Sequence, residues 1–381
     1  MRNILKEYFL LFSITLFGVC AYGQTAKSEL ALAITIDSAI YHRDGGIVDQ
    51  WINYEVFTQR VFKSLHRRST DWKDYAEVFK QELRLGELLV EQIGTDGELS
   101  FVKVLEDSDG NVNLLYRDLK GDGWLDYNEM LLVKNHLNQW NIVDIYFYSG
   151  GGYFSDIVAA MLANENPDLV QNTSYRNSLL KVIDLFGYNQ EGLYGSTISE
   201  YDSLSSFFQK QKNTQIALIQ AHALQGNISE MESLKNTYLQ QYPDDKSIRL
   251  ILMDIYGSLD NYEMAKVMLD ELSQLIGGDE YLSLREAEIL LSWNKTAKAK
   301  KVLKKIIKSE NFVTDARLLL VDAYYSEQNY KGMLEEVVKV SDVVGVAIEE
   351  ILSKDNYEQF YSSPDWQKWK KQNKKKSHDL K

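Results

Sequence analysis

The feature that most constrains this chain is a register of 34 residues that runs from Lys212 to Ala347. Four positions mark it, namely Gly226, Asp260, Asn294 and Gln328. Apolar residues recur at fixed distances from these marks with spacings of three and four, which is the period of an amphipathic helix. Each unit is therefore predicted to be a pair of helices. Such a pair is too small to bury its apolar stripe alone, so the units must stack on one another.

This pattern resembles the tetratricopeptide repeat family, whose units are also helix pairs of about 34 residues. The family's early Trp and its Gly at the eighth position are missing. The resemblance is carried by Asn261, Tyr262, Ala265, Asn329, Tyr330 and Pro243. It implies an all-α superhelical array whose function is to bind other proteins.

The register also extends toward the amino terminus, where Leu185, Tyr188, Gly192 and Tyr194 stand at the expected places. A further unit is therefore predicted to begin near Ser178. Units that start near residues 178, 212, 246, 280 and 314 would fill residues 167–353.

In the resembled family the first helix of each unit lines a concave groove. The ninth position of that helix is Gln220, Asp254, Glu288 and Asp322, and the fifth position is Ile216, Leu250, Leu284 and Leu318. An acidic stripe beside an apolar row predicts a protein or peptide partner, an extended or helical segment with basic and apolar side chains. The alternative is a groove that is filled by neighbouring helices or is only solvated.

The amino terminus has the pattern of a secretory signal peptide, residues 1–23. Arg2 and Lys6 precede an apolar run that is too short to span a bilayer, and small residues precede a cleavage site before Gln24. Cys20, the chain's single cysteine, could instead carry a lipid, although the residues before it fit a lipoprotein signal poorly. The sequence thus predicts a periplasmic or secreted protein without a later transmembrane segment.

The formal net charge of −13 argues against nucleic acid as a partner, because an acidic surface repels phosphate backbones. The carboxyl-terminal segment, residues 354–381, is different. Its aromatic residues predict a cap on the last repeat, and its lysines predict a solvated tail or a peripheral contact with an anionic membrane face. The lysines from 368 onward are Lys368, Lys370, Lys371, Lys374, Lys375, Lys376 and Lys381.

Residues 24–166 have a different period and predict an α+β domain, with three helices followed by a four-stranded antiparallel sheet. The helices are expected at residues 28–43, 46–64 and 71–94, where Asp71 would cap the third. The strands are expected at residues 98–106, 111–118, 124–133 and 140–149, and a further helix at residues 156–163 would be capped by Ser155.

The element order resembles the cone-shaped fold of nuclear transport factor-like proteins, in which a curved sheet leaves a pocket at its mouth. Alternation along the closing strand would place Ile142 on one face with the possible pocket residues Asp144, Tyr146 and Tyr148. Such an aspartate is more often held by hydrogen bonds to a tyrosine hydroxyl or a backbone amide than used in catalysis.

Residues 118–129 are similar to a calcium-binding EF-hand loop, with acidic residues at Asp118, Asp122, Asp126 and Glu129. Lys120 stands where an oxygen ligand belongs, and the flanking residues look like strands. A β-hairpin that turns at residues 121–123 explains the same residues.

The remaining motifs predict no metal site and no cofactor. The five histidines are scattered, without a pair spaced for one metal ion. The three glycines at residues 150–152 lack the rest of a dinucleotide-binding fingerprint and indicate a sharp bend. We therefore expect a non-enzymatic interaction or scaffold protein of the bacterial cell envelope. The alternative is small-molecule binding, or a hydrolytic or isomerising activity, in the pocket of the amino-terminal domain.

Overall fold

A computed structural model describes residues 28–66, 72–94, 97–106, 110–121, 123–170 and 172–379. The predicted leader with Cys20, the predicted cap Asp71, and Asp122 and Lys381 lie outside these ranges. The described residues form two compact units, the first ending at Ile255 and the second beginning at Tyr256. This division differs from the predicted domain boundary at residue 166, because helices up to residue 255 belong to the same unit as the sheet.

The first unit begins with five short α-helices. They are α1 (Glu29–Tyr41), α2 (Gly45–Asp49), α3 (Tyr54–Ser64), α4 (Trp72–Val78) and α5 (Leu85–Ile93). The predicted helix at residues 46–64 is broken because the chain between α2 and α3 pairs with the sheet. The Asn53 N–H donates to the Ile142 carbonyl and the Ile142 N–H to the Trp51 carbonyl, both at 2.8 Å.

The predicted helix at residues 71–94 is interrupted as well, by a π-helical turn at Phe79–Leu83. Arg84 then adopts a left-handed conformation, with φ of 43°. The first N–H groups of α5 are satisfied from far away in the sequence, since Leu85 donates to the Tyr54 hydroxyl at 3.0 Å and Gly86 donates to Asp49 at 2.8 Å. These distant caps explain why a continuous helix was the wrong prediction.

The sheet is antiparallel with strands in sequence order. Its strands are β1 (Glu98–Glu106), β2 (Val112–Leu119), β3 (Leu125–Lys134), β4 (Trp140–Phe147) and β5 (Gly152–Tyr153). The prediction of four strands therefore missed β5, which is only two residues long. The hydrophobic core between the sheet and the helices includes Leu32, Phe57, Leu114 and Tyr116.

A β-bulge in β4 changes which side chains share a face. On β3, the neighbours Leu131 and Leu132 pair with Asp144 and Ile142, so Val143 is the extra residue. Ile142 consequently joins Ile145 and Phe147 in the hydrophobic core. The prediction that Ile142 shares a face with Asp144 is wrong, because a single inserted residue reverses the alternation.

Among the described residues, seven more α-helices follow the sheet, and the last of them carries the unit boundary. They are α6 (Phe154–Glu165), α7 (Thr173–Gln190), α8 (Tyr194–Ser203), α9 (Ser206–Gln209), α10 (Lys212–Leu224), α11 (Ile228–Gln241) and α12 (Lys246–Ser258). The helix predicted at residues 156–163 thus begins two residues earlier. Ser155 does not cap it, since its hydroxyl donates to Asp144 at 2.6 Å.

The second unit continues with helix pairs and three terminal helices. They are α13 (Tyr262–Leu275), α14 (Glu280–Ser292), α15 (Thr296–Ser309), α16 (Val313–Ser326), α17 (Tyr330–Val344), α18 (Ile348–Ile351), α19 (Glu358–Ser362) and α20 (Pro364–Asp379). Within this unit, α14 packs on α15 and α16, and α16 packs on α17.

The turn inside each helix pair has one backbone geometry. The marks Gly226, Asp260, Asn294 and Gln328 all have positive φ, between 55° and 86°. The residue after each mark donates its N–H to a carbonyl five residues earlier, at 2.7 to 2.9 Å. Gly192 repeats this geometry with φ of 75°, and the Leu193 N–H donates to Tyr188 at 2.7 Å. The 34-residue register is therefore a repeat of structure as well as of sequence.

The carboxyl-terminal segment caps the last helix pair. Phe360 and Trp366 are buried in one cluster with Val321, Met333 and Val337. The predicted solvated tail is helical through residue 379 as part of α20, and Lys370 forms an ion pair with Glu349 at 3.2 Å. In the part of the chain that is described, no helix combines the length and the apolarity that a membrane span requires.

Candidate functional site

An open cleft of about 470 Å³ lies in the first unit, beside the face of the sheet that carries Glu129 and Tyr146. Its wall includes β3, β4 and the glycine turn before α6. The other side is formed by the first residues of α10 and α12. The cleft therefore lies where the sheet meets the beginnings of three helices.

Glu129 on β3 anchors the sheet side of the cleft. Its carboxylate accepts hydrogen bonds from the Tyr148 hydroxyl and from Asn113 Nδ2, the latter at 2.8 Å. The same carboxylate pairs with Lys246 Nζ at 2.7 Å, which ties β3 to the first turn of α12. Burial beside Glu129 raises the pKa of the Tyr148 hydroxyl, so Tyr148 keeps its proton and acts as the donor.

Tyrosine rings form the next part of the wall. The Tyr146 hydroxyl accepts a hydrogen bond from the Ser247 hydroxyl at 3.0 Å. The Tyr146 ring meets the rings of Tyr148 and Tyr153 edge to face. The Arg60 guanidinium lies over the Tyr153 ring, 4.7 Å from its centre. Of the three predicted pocket residues, only Tyr146 lines the cleft.

Asp144 has a structural environment. It is buried, forms an ion pair with Arg60, and accepts hydrogen bonds from the Ser155 hydroxyl at 2.6 Å and the Ser155 N–H at 3.1 Å. Burial raises the pKa of Asp144, and the Arg60 guanidinium and Ser155 act in the opposite direction. These contacts fix β4 to α3 and α6.

The helical side of the cleft is built from the first residues of α10 and α12. Lys212 Nζ pairs with Asp245 Oδ2 at 2.8 Å, and Asp245 Oδ1 accepts the Ile248 N–H at 3.0 Å, which caps α12. Gln211 and Asp244 also line the cleft. Within the described ranges neither of these two side chains forms a hydrogen bond or an ion pair; Gln211 is half-buried and Asp244 is exposed.

The region similar to a calcium-binding loop is a hairpin. It joins β2 to β3, and Asp118 pairs directly with Asp126 across the two strands. Asp118 forms an ion pair with Lys120 at 3.1 Å, whereas Asp126 accepts hydrogen bonds from the Ser149 hydroxyl, the Ser149 N–H and the Tyr127 N–H. Among the residues with described side chains, no group of three or more acidic, His or Cys residues could hold a metal ion.

The predicted groove residues divide between the two units. Ile216, Leu250 and Leu284 are each at most 2% exposed. The prediction that they form an open apolar row is therefore wrong, because buried side chains cannot contact a partner. Ile216 packs against Gly151, and Leu284 belongs to a cluster with Leu303.

The polar positions of the predicted groove remain at or near the surface. In the first unit, Gln220 and Asp254 are half-buried. In the second unit, Glu288 is half-buried and pairs with Arg285 at 2.8 Å, and Leu318 is half-buried. Asp322 is exposed, and it accepts a hydrogen bond from Tyr357 of the carboxyl-terminal cap.

Sequence reasoning did not find most of the cleft. Lys246 contacts Glu129 across 117 residues of sequence, and Ser247 contacts Tyr146 across 101. No local pattern connects residues so far apart. The sequence signals at the cleft are Tyr146, Glu129 and the glycine turn. The three glycines indicate a sharp bend, and Gly151 has the positive φ, 61°, that such a bend requires.

No protein-family model matches the chain, and no curated protein matches it either. Among solved structures, that of MamA MSR-1 C2 is 12% identical, with a TM-score of 0.35, and the similarity covers 44% of this chain and 96% of that one. A mutant of MamA is also 12% identical, with a TM-score of 0.33 over 44% of this chain and 97% of its own. At such TM-scores these similarities define neither the shape nor the function of this chain.

Proposed function

We propose that this chain is a non-enzymatic protein-interaction scaffold, exported to the bacterial cell envelope or exterior, with a tetratricopeptide-like array as its binding surface. The observation that supports it best is the recurrence of one turn geometry at Gly192, Gly226, Asp260, Asn294 and Gln328. Repeated helix pairs build a continuous surface from many equivalent positions, which suits the recognition of a protein segment.

The proposed contact surface in the second unit is the acidic face of α14 and α16, defined by Glu288, Leu318 and Asp322. The two helices pack directly on one another. Leu318 is half-buried and lies one helical turn before Asp322 on α16. The face therefore combines an apolar side chain with two carboxylates, one contacted by Arg285 and the other by Tyr357. A segment with basic and apolar side chains matches that arrangement.

The test uses the full chain as bait in an envelope extract, followed by purification of a captured protein and titration calorimetry. The double variant Glu288→Lys and Asp322→Lys should weaken binding at least tenfold, because it replaces attraction by repulsion at the contact. Glu335→Lys is the matched control, since Glu335 is an exposed acid on α17 and lies outside the acidic face.

The proposed surface is refuted if the double variant and the control bind a captured protein equally well. Wild-type affinity should also fall as salt concentration rises, because exposed charges are screened. An affinity that does not change with salt would contradict the charge complementarity even if a partner were found.

A further inference from the structure

The cleft beside Glu129 and Tyr146 shares no residue with the acidic face of α14 and α16 and has its own chemistry. Its volume of about 470 Å³ lies within the range of small-molecule sites, about 300–1,000 Å³. Several of its polar groups are already fixed by contacts with the protein. Such fixed groups reduce the entropy that a ligand must overcome on binding.

The lining favours a ligand without net charge. Four carboxylates and two lysines line the cleft, and both lysines are neutralised by partners in the wall, Lys246 by Glu129 and Lys212 by Asp245. The remaining carboxylates, Asp156 and Asp244, stand near the first turns of α6 and α12. A helix amino terminus carries about half a positive charge, which offsets a carboxylate nearby.

An anion is repelled, because among the described residues both lysines are already paired and two carboxylates are not. A cation gains little, because Asp156 and Asp244 each already stand near the partial positive charge of a helix amino terminus. An apolar ligand is disfavoured as well, because Leu131 is the single aliphatic side chain in a lining otherwise made of glycine, tyrosine and polar residues. Buried polar groups left without partners on binding would cost affinity.

Hydroxyl groups fit this lining because each one can donate one hydrogen bond and accept two. Asp244 supplies acceptors, and the amide of Gln211 supplies both donors and acceptors. Asp156 and Asn213 also line the cleft, although each already accepts one hydrogen bond, from Ser64 and from the Thr214 N–H respectively. Tyr146 and Tyr153 add aromatic surface with a polar end, which suits a ligand whose ring presents C–H groups between its hydroxyls.

We propose that this cleft is a binding site for a neutral, hydroxyl-rich small molecule, a sugar of one or two rings. The wall holds the fixed groups Glu129, Asp245 and Tyr146, and Gln211 and Asp244 are the side chains that remain available to the ligand. This site is independent of the scaffold function, since it uses no residue of the acidic face.

The experiment is ligand-observed saturation-transfer NMR on the full chain, followed by titration calorimetry. The probes are glucose, galactose, N-acetylglucosamine, maltose and cellobiose, with spermidine and inorganic phosphate as the charged comparison. We expect at least one neutral sugar to receive saturation and to bind with measurable affinity, and neither ion to compete with it.

Two variants test whether the sugar binds in the cleft. Asp244→Ala should weaken sugar binding about tenfold and Gln211→Ala about fivefold, which are the losses expected for a charged and a neutral hydrogen bond. Glu230→Ala and Gln240→Ala are matched controls on the exposed face of α11 and should bind as the wild type does. Both lining variants remove exposed or half-exposed side chains, so their melting curves should match the wild type.

Three results would overturn the inference. They are the absence of binding by every sugar tested, sugar binding that is unchanged in both lining variants, and competition by spermidine or phosphate. None of these results bears on the acidic face, because the scaffold proposal is tested by a separate titration with a captured protein.

Discussion

Among single residues, Gly151 lies in the turn after β4, where the chain packs against α10, the first helix of a repeat. Its φ is 61°, and a Cβ added there would lie 2.3 Å from Ile216 Cδ1. Ile216 is fully buried on α10, so it has little space into which it can move. Gly151 is therefore required for two reasons, its backbone conformation and the close approach of α10.

We expect Gly151→Ala to lower the free energy of unfolding by roughly 2–4 kcal/mol, from left-handed backbone strain and overpacking. In an Ile216→Val background the cost of Gly151→Ala should fall, because Val lacks the clashing Cδ1. Urea denaturation of the four proteins measures this coupling. Gly150→Ala is the control, since a Cβ there meets nothing within 4 Å, and a cost equal to that of Gly151→Ala would contradict the account.

Asp126 is a buried carboxyl group whose pKa is shifted by its environment. It is buried at the end of the sheet, and this burial raises its pKa to about 7, while hydrogen bonds from Ser149 and Tyr127 act in the opposite direction. In the unfolded chain the same carboxyl loses its proton near 3.8. Between these values the folded protein holds a proton that the unfolded chain has released.

The stability that comes from this raised pKa is therefore complete below about pH 4 and is lost as pH rises through about 7. Asp126→Asn removes the titration. As pH rises from 5 to 8, the wild type should therefore lose about 2–3 kcal/mol of stability that the variant does not lose. Urea unfolding of both proteins at pH 5 and pH 8 measures this change. If the difference in unfolding free energy between the two proteins is the same at both pH values, the pKa of Asp126 is not raised.

At the scale of elements, the repeated turn places different residues in one backbone conformation. Gly226 adopts positive φ at little cost, whereas Asp260, Asn294 and Gln328 adopt it with a side chain present. Gln is the least suited of these, because its side chain does not form the local hydrogen bonds that favour Asn and Asp in this conformation.

Gln328→Gly should therefore stabilise the second unit by about 1 kcal/mol, since it removes the left-handed strain at an exposed position. The opposite result is expected for Glu335→Gly, which places glycine inside the helix α17 and should cost about 1 kcal/mol. Chemical denaturation of the full chain compares the two. A loss of stability in Gln328→Gly would mean that its side chain makes a stabilising contact.

The sequence could predict those elements whose signal is local. The bounds of β1 are as predicted, and β2, β3 and the repeat helices lie within a few residues of their predicted positions, because alternation and 3.6-residue periodicity are properties of neighbouring residues. The break at residues 51–53, the bulge at Val143 and the distant caps of α5 depend on residues far along the chain. They could not be predicted from a local pattern.

Little of the candidate site was predictable for the same physical reason, because its contacts join residues that are distant in sequence. Tyr146 was found because it lies on a strand with a clear alternation. Its partner Ser247 and the Glu129–Lys246 ion pair arise from packing between elements about a hundred residues apart. The predicted apolar row at Ile216 and Leu284 was wrong because these residues serve the packing of helices.

For the molecule as a whole, residues 1–23 are predicted to be a signal peptide that directs export. When the full chain is expressed in a bacterial host, its product should begin at Gln24, which intact-mass measurement of the envelope fraction can establish. Cys20→Ser should be exported and processed in the same way. If that variant lost membrane attachment, the lipoprotein alternative would replace a cleaved, unlipidated product.

The left-handed turn between paired helices also bears on how such arrays change over time. Within this one chain, a glycine, an aspartate, an asparagine and a glutamine occupy equivalent turns, yet the main chain follows the same path at each. Because each turn is defined by its backbone torsion angles, several residue types can occupy it. The repeats can therefore lose sequence similarity long before they lose their backbone geometry, which leaves each unit free to acquire a different surface.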